Sequence, residues 1–218
     1  MHHEFWHERW RTRQIGFHQP SPHPFLERWW STVGAPRGTR VYVPLCGKSL
    51  DMVWLAVHGH TVVGSELSPV AVQEFFGEQG AAPGVEPCGP FKRHAANAFE
   101  IFEGDAFELT PDLLGPVGAA YDRAGLVSLP PAVRPAYVRS FADLLTAGTP
   151  ALLVAFEYPQ QLREGPPFSI EPEEASDLFG GAFEVRELER INIIAESPKF
   201  AERGVKALYE VAYRLVRR

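Results

Sequence analysis

Residues 40–67, RVYVPLCGKSLDMVWLAVHGHTVVGSEL, constrain the fold of this chain more than any other stretch. Positions 41–45 are a short apolar run with β-branched residues, which Cys46 and Gly47 break before Leu50, Trp54, Leu55 and Val57 open a helical period. Ser49 is placed to cap that helix, and Asp51 sits in its first turn, where a carboxylate suits the helix dipole. Gly59 stops the helix, and 61–64 is a second β-branched run. Two parallel strands joined by one helix form a right-handed crossover, and ligands bind beyond the carboxyl ends of such strands. Glu66 closes the second strand 66 − 45 = 21 positions after Leu45, close to the offset of about 20 at which an acidic residue meets a ribose.

The turn between strand and helix narrows the ligand. VPLCGKS, at 43–49, offers one glycine where a dinucleotide fingerprint needs three, so a pyrophosphate fits poorly. Gly47, Lys48 and Ser49 resemble the tail of a P-loop, but that motif needs glycine where this chain has Tyr42. What remains is a nucleoside-bearing ligand without a phosphate to cradle, and S-adenosylmethionine is the commonest such cofactor. Two other classes stay open on the same unit: a nicotinamide-dependent oxidoreductase and a non-catalytic nucleoside-binding module.

Composition bounds the partners. A length of 218 residues favours a single domain over 1–218, and 45% hydrophobic with 22% charged residues places the chain among soluble globular proteins. The net charge of −6 and the lack of a Lys/Arg-rich run argue against nucleic acid and for a small-molecule substrate. No apolar run suits a membrane span and the N-terminus lacks a signal-peptide core, so a cytoplasmic protein is expected, and a monomer because no long exposed apolar helix argues for an obligate dimer. Cys46 and Cys88 form no CxxC pair or disulfide framework, which fits a reducing compartment. Cys46 reads better as a small packed residue than as a nucleophile, because no base partner is evident. HEFWH at 3–7 formally matches a zinc motif, but no third ligand follows at a recognisable spacing, and no metal is expected.

The remaining elements follow in order. Residues 1–15 form an aromatic-rich amphipathic helix, 20–24 a linker, and Phe25, Leu26, Trp29, Trp30 and Val33 a helix ending at Gly34. Ser68 and Pro69 are an N-cap and N1 pair for the next helix, and 80–90 reads as loop. Residues 91–102 make a hairpin through 95–97, whose second strand delivers Gly104, Asp105 and Ala106. A short strand at 119–122 places Asp122 and Arg123 at a ligand crevice. Helices are expected at 130–145 and 172–179, and strands at 151–157, 183–193 and 206–216.

PLCGKSLDMVWLA followed by VVGSELS resembles the thiopurine S-methyltransferase family, as do WHERWRTRQIGFHQ at 6–19, YDRAGLVSLPP at 121–131, GPPF at 165–168 and FAER at 200–203. The resemblance implies an α/β fold: a Rossmann-like, seven-stranded, mostly parallel sheet with an antiparallel last strand, helices on both faces, and residues 1–34 as an N-terminal helical lid. It implies methyl transfer from S-adenosylmethionine to the sulfur of aromatic or heterocyclic thiols, leaving S-adenosylhomocysteine, with selenium and tellurium oxyanions as further acceptors. Trp10, Leu45, Gly47, Glu66, Asp105, Ala106 and Arg123 would hold the cofactor, with Trp6 beside Trp10. Phe17, His18, Phe168 and Arg203 would line the substrate side, and Asp122 and Arg123 would serve catalysis by positioning. Ala124-Gly125 after that arginine is a small departure from the family's usual pair and leaves the contact intact.

Overall fold

The computed structural model describes residues 3–218, so the first two positions of the helix expected over 1–15 lie outside the described residues. The chain divides into two compact units, Met1–Tyr121 and Asp122–Arg218.

In the first unit, helix α1 is His3–Arg11, and α2, Pro24–Val33, ends where Gly34 turns left-handed at φ 96°. Strand β1 (Arg40–Val43), helix α3 (Leu50–Val57) and strand β2 (Thr61–Glu66) form the expected crossover. Ser49 Oγ accepts the Asp51 N–H at 3.2 Å and so caps α3. Asp51 stands in the first turn of α3, as expected, and is in addition buried: it is 2% exposed and accepts from the His23 N–H at 2.7 Å and the Tyr121 hydroxyl at 3.1 Å. Helix α4 (Pro69–Glu78) buries Ala71, Val72, Phe75 and Phe76. Strands β3 (Gly84–Cys88), β4 (Phe91–Ala96) and β5 (Phe99–Glu103) follow, with a tight turn at Asn97, φ 54°. The short helix α5 (Pro111–Leu114) leads to β6 (Ala119–Arg123).

Beyond β6 come α6 (Arg134–Asp143), β7 (Pro150–Glu157), α7 (Pro172–Phe179), β8 (Phe183–Asn192), α8 (Pro198–Ala201) and β9 (Tyr209–Arg217). The first six residues of β7 are all buried, as their apolar run requires of a strand covered on both faces. Phe141 and Phe183 stack at 5.9 Å within this unit's core.

The sheet order is β3-β4-β5-β2-β1-β6-β7-β9-β8. Strands β5, β2, β1 and β6 pair in parallel, while β3-β4-β5 and β7-β9-β8 are antiparallel. The sheet therefore has nine strands and is mixed, not seven and mostly parallel. The two strands beyond seven are β4, within the hairpin expected over 91–102, and β3, within residues read as loop. Its first four residues are exposed, so it lacks the alternating burial that marks a strand in sequence, and Pro87 is tolerated because β3 is an edge. The last strand is antiparallel, as expected.

Candidate active site

The carboxyl ends of β1 and β2 are joined through one side chain. Glu66 is 6% exposed; its Oε2 accepts the Gly47 N–H at 2.8 Å and its Oε1 the Ser68 N–H at 2.7 Å. Burial raises its pKa to about 6 against the opposing pull of the backbone N–H groups at Ser68 and Gly47. Each carboxylate oxygen keeps a further acceptor position, which suits the two hydroxyls of a ribose. The Ser68 hydroxyl, expected to cap α4, makes no cap bond; the turn is organised instead by its N–H on Glu66. The Glu66 carbonyl accepts the Gly104 N–H at 2.9 Å, which ties in the end of β5.

The turn after β1 holds Leu45 at φ 48° and Gly47 at φ 54°. A half-buried leucine in this region is strained, which is the kind of backbone outlier found at ligand sites. A Cβ on Gly47 would meet Trp10 Cζ2 at 3.1 Å, so the glycine leaves room for the indole, which is 2% exposed. Phe17 sits edge-on to Trp6 and Trp10 at 5.9 and 5.6 Å. His18 is half-buried and its N–H donates to the Ile15 carbonyl at 2.8 Å. Cys46 is buried against Gly64, where a Cβ would stand 2.5 Å from Sγ, and burial followed by the nearby Glu66 pushes its thiol well above the ordinary range. It is a packed residue.

Ala106 is buried, and Asp105 follows β5 as the N-cap of the single 3-10 turn Ala106–Glu108. Asp105 Oδ1 accepts the Phe107 N–H at 3.0 Å, and Oδ2 lies 2.7 Å from His3 Nε2. His3 of the formal zinc motif is thus engaged with a carboxylate. Among the described residues no group of three or more His, Cys, Asp or Glu is arranged to hold a metal. No helix among them is long and apolar enough to cross a membrane.

In the second unit Asp122 is 1% exposed. Its Oδ1 accepts N–H groups of Gly125 and Leu126 at 3.1 and 3.2 Å, and its Oδ2 accepts the Tyr137 hydroxyl at 2.8 Å. Burial outweighs these bonds and lifts its pKa to about 6. Its Oδ1 is committed to the turn that follows β6 and its Oδ2 to Tyr137 of α6, and Arg123 is half-buried at the strand's last position.

Phe168 is half-buried; its N–H donates to the Val127 carbonyl at 2.6 Å and its ring fills the space above Gly165, φ 83°. The Tyr158 hydroxyl donates to the Pro167 carbonyl at 2.6 Å, and Gln160 accepts the Ser169 N–H at 2.7 Å, so the loop carrying Phe168 is firmly held. Beneath it lies Arg134, 1% exposed, 5.9 Å from the Phe168 ring centroid and bonded to the Leu129 carbonyl and Glu174 at 3.0 and 2.5 Å. Arg134 escapes a reading of the sequence, since an arginine inside the helix expected over 130–145 reads as solvated, whereas α6 begins at it and buries it. Arg203 is exposed in the turn after α8.

The family described as Thiopurine S-methyltransferase (TPMT) matches residues 1–218. A thiopurine S-methyltransferase of Shewanella amazonensis is 44% identical over 214 residues, covering 98% of each chain. One of Bordetella petrii is 45% identical over 214 residues with the same coverage. Among solved structures, the 1,6-didemethyltoxoflavin-N1-methyltransferase of Burkholderia thailandensis, described with S-adenosylhomocysteine bound, superposes with a TM-score of 0.62. At 14% identity over 97% of this chain and 86% of that one, the likeness is one of fold.

Proposed function

Because this chain belongs to the thiopurine S-methyltransferase family, we propose that it transfers the methyl group of S-adenosylmethionine to the sulfur of aromatic or heterocyclic thiols. The observation that carries the reading is the assembly of Trp10, Gly47 and Glu66 at the ends of β1 and β2. It offers a buried acid with spare acceptor positions and a turn too glycine-poor for a pyrophosphate. Bound there, S-adenosylmethionine supplies a methyl group on a cationic sulfur, open to in-line attack by a thiolate.

The chain's own residues bind and orient. Glu66 accepts the ribose hydroxyls, Leu45 and Gly47 press on the amino-acid end, and Asp105 with Ala106 meets the adenine. Trp10 excludes water and offers an aromatic face to the cation. Arg123 provides a planar donor fork for a carboxylate, and Phe17, His18, Phe168 and Arg203 serve the acceptor. Asp122, whose oxygens hold the next turn and the Tyr137 hydroxyl, acts by positioning Arg123 rather than as a base. An acceptor thiol already ionised near neutral pH needs no base. Selenium and tellurium oxyanions belong to the proposed acceptor range.

Calorimetry with S-adenosylmethionine tests the cofactor assignment: wild type binds and Glu66→Ala binds at least about tenfold more weakly, which is about 1.4 kcal/mol. No binding by wild type, or unchanged binding by Glu66→Ala, overturns it. NADH fluorescence enhancement on mixing would instead select the oxidoreductase, and cofactor binding with no product across a labelled-methyl panel of thiols, selenite and tellurite would select a non-catalytic module. The net charge of −6 supports a small-molecule acceptor over nucleic acid. A single cytoplasmic domain over 1–218, monomeric and with residues 1–34 as its lid, completes the proposal, and light scattering of the pure chain checks the monomer.

A further inference from the structure

Lys48 follows Gly47 in the turn after β1, yet its side chain is 8% exposed and runs to helix α4. There its Nζ lies 3.0 Å from Glu74 Oε2 and 2.5 Å from Glu78 Oε1. The contact to Glu74 falls outside hydrogen-bonding geometry and acts as an ion pair. Burial pulls the lysine's pKa down, but Glu78 and Glu74 together outweigh it. The other oxygen of Glu74, Oε1, pairs with Arg13 Nη1. Arg13 stands just past α1 in a left-handed conformation, φ 59°, and its N–H donates to the Trp10 carbonyl at 3.3 Å.

These contacts close a ring. Trp10 lies against Gly47, Gly47 is bonded to Lys48, Lys48 and Arg13 meet on Glu74, and Arg13 returns to Trp10. One carboxylate therefore serves two segments that are far apart in sequence, the turn and the exit of α1. Glu78 cannot replace it, because among the described residues it meets Lys48 and makes no ion pair with the exit of α1. Glu74, with a side chain 17% exposed, is the inner partner.

We propose that Glu74 is a positioning residue that fastens helix α1 to the turn carrying Gly47, so that the two present Trp10 and the Gly47 N–H as one preformed surface. This rests on the cofactor assignment made above. The ionised carboxylate places both partners: without its charge, Arg13 is released to solvent and Lys48 keeps only its outer partner. Binding S-adenosylmethionine must then order α1 as well, which weakens ground-state and transition-state binding alike and leaves the bound rate intact.

The test uses the full chain with Glu74→Gln, and with Arg13→Gln as a surface variant whose fold is secure, since the Arg13 side chain is 67% exposed. In the ligand-free protein both variants exchange the amides of α1 about tenfold faster, while those of β2 and β5 keep wild-type protection. In turnover the KM for S-adenosylmethionine rises about tenfold and kcat stays within about twofold. Arg13→Lys restores both readouts, and Glu78→Gln changes KM by less than about twofold. Unchanged α1 exchange in both variants overturns the proposal, as does a fall in kcat at constant KM, or an equal effect from Glu78→Gln. If wild type binds no S-adenosylmethionine, the cofactor reading fails, while the exchange comparison still decides whether Glu74 fastens α1.

Discussion

At Gly47 two constraints act on one missing atom: φ is 54°, and a Cβ would lie 3.1 Å from the Trp10 ring. Gly47→Ala therefore meets left-handed backbone strain of about 1–2 kcal/mol and displaces the indole. A lowered urea midpoint together with loss of Trp10 fluorescence shielding checks this; an unchanged midpoint rejects it. Glu66 gives a pH-dependent partner to this prediction. With its pKa at about 6, it is protonated in mild acid and then has fewer acceptor positions for a ribose. Affinity for S-adenosylmethionine should fall about tenfold between about pH 7 and about pH 5, and calorimetry at both values measures it. A flat profile would assign the ribose to another residue. Glu66 and Gly47 were legible because strand ends and turns leave punctuation in sequence. Asp51 was only half legible: its place in the first turn of α3 was evident, but its burial under His23 and Tyr121 depends on partners distant in the chain. Glu74 and Arg134 left no signal, since ion pairs between remote segments have no period.

Helices and strands divide by how much of their surface is buried. Strand β7 was read nearly to its ends because a strand buried on both faces is an unbroken apolar run. Strand β3 was missed because Gly84, Val85, Glu86 and Pro87 are exposed at the sheet edge, so nothing in their order reflects a core. The hairpin of β3 and β4 nevertheless supports the end of β5. Phe91 is 2% exposed, packs edge-on to Phe102 at 5.7 Å, and fills the space where a Cβ on Gly104 would stand 2.5 Å away. Phe91→Ala should destabilise the protein by about 3 kcal/mol through the cavity it leaves. It should also loosen the turn at Asp105, raising the KM for S-adenosylmethionine. Denaturant melts and steady-state kinetics check both, and a stability loss without any change in KM would show that the hairpin supports the core alone.

At the scale of the whole molecule, two buried carboxyls, Glu66 in one unit and Asp122 in the other, have pKa values raised to about 6. Native protein then binds more protons than unfolded chain between about pH 4 and pH 6, so these groups make stability fall as pH rises through that window. At neutral pH they withhold roughly 2 and 3 kcal/mol, taking 1.36 kcal/mol per pH unit. Glu66→Gln should flatten the stability difference between about pH 5 and about pH 7 by roughly 1 kcal/mol, the part of its titration that falls inside that window, read from urea midpoints; an unaltered difference would place the titration elsewhere. Cys46 has a different bearing on the whole protein. A chain that handles a reagent able to alkylate sulfur carries a sulfur of its own in the turn beside Glu66. Its thiol donates to the Gly47 carbonyl, stays protonated through burial, and is walled in by Gly64. A neutral, immobile thiol is a poor nucleophile. Burial thus keeps the enzyme from becoming its own acceptor, and after prolonged incubation with S-adenosylmethionine its intact mass should show no added methyl group.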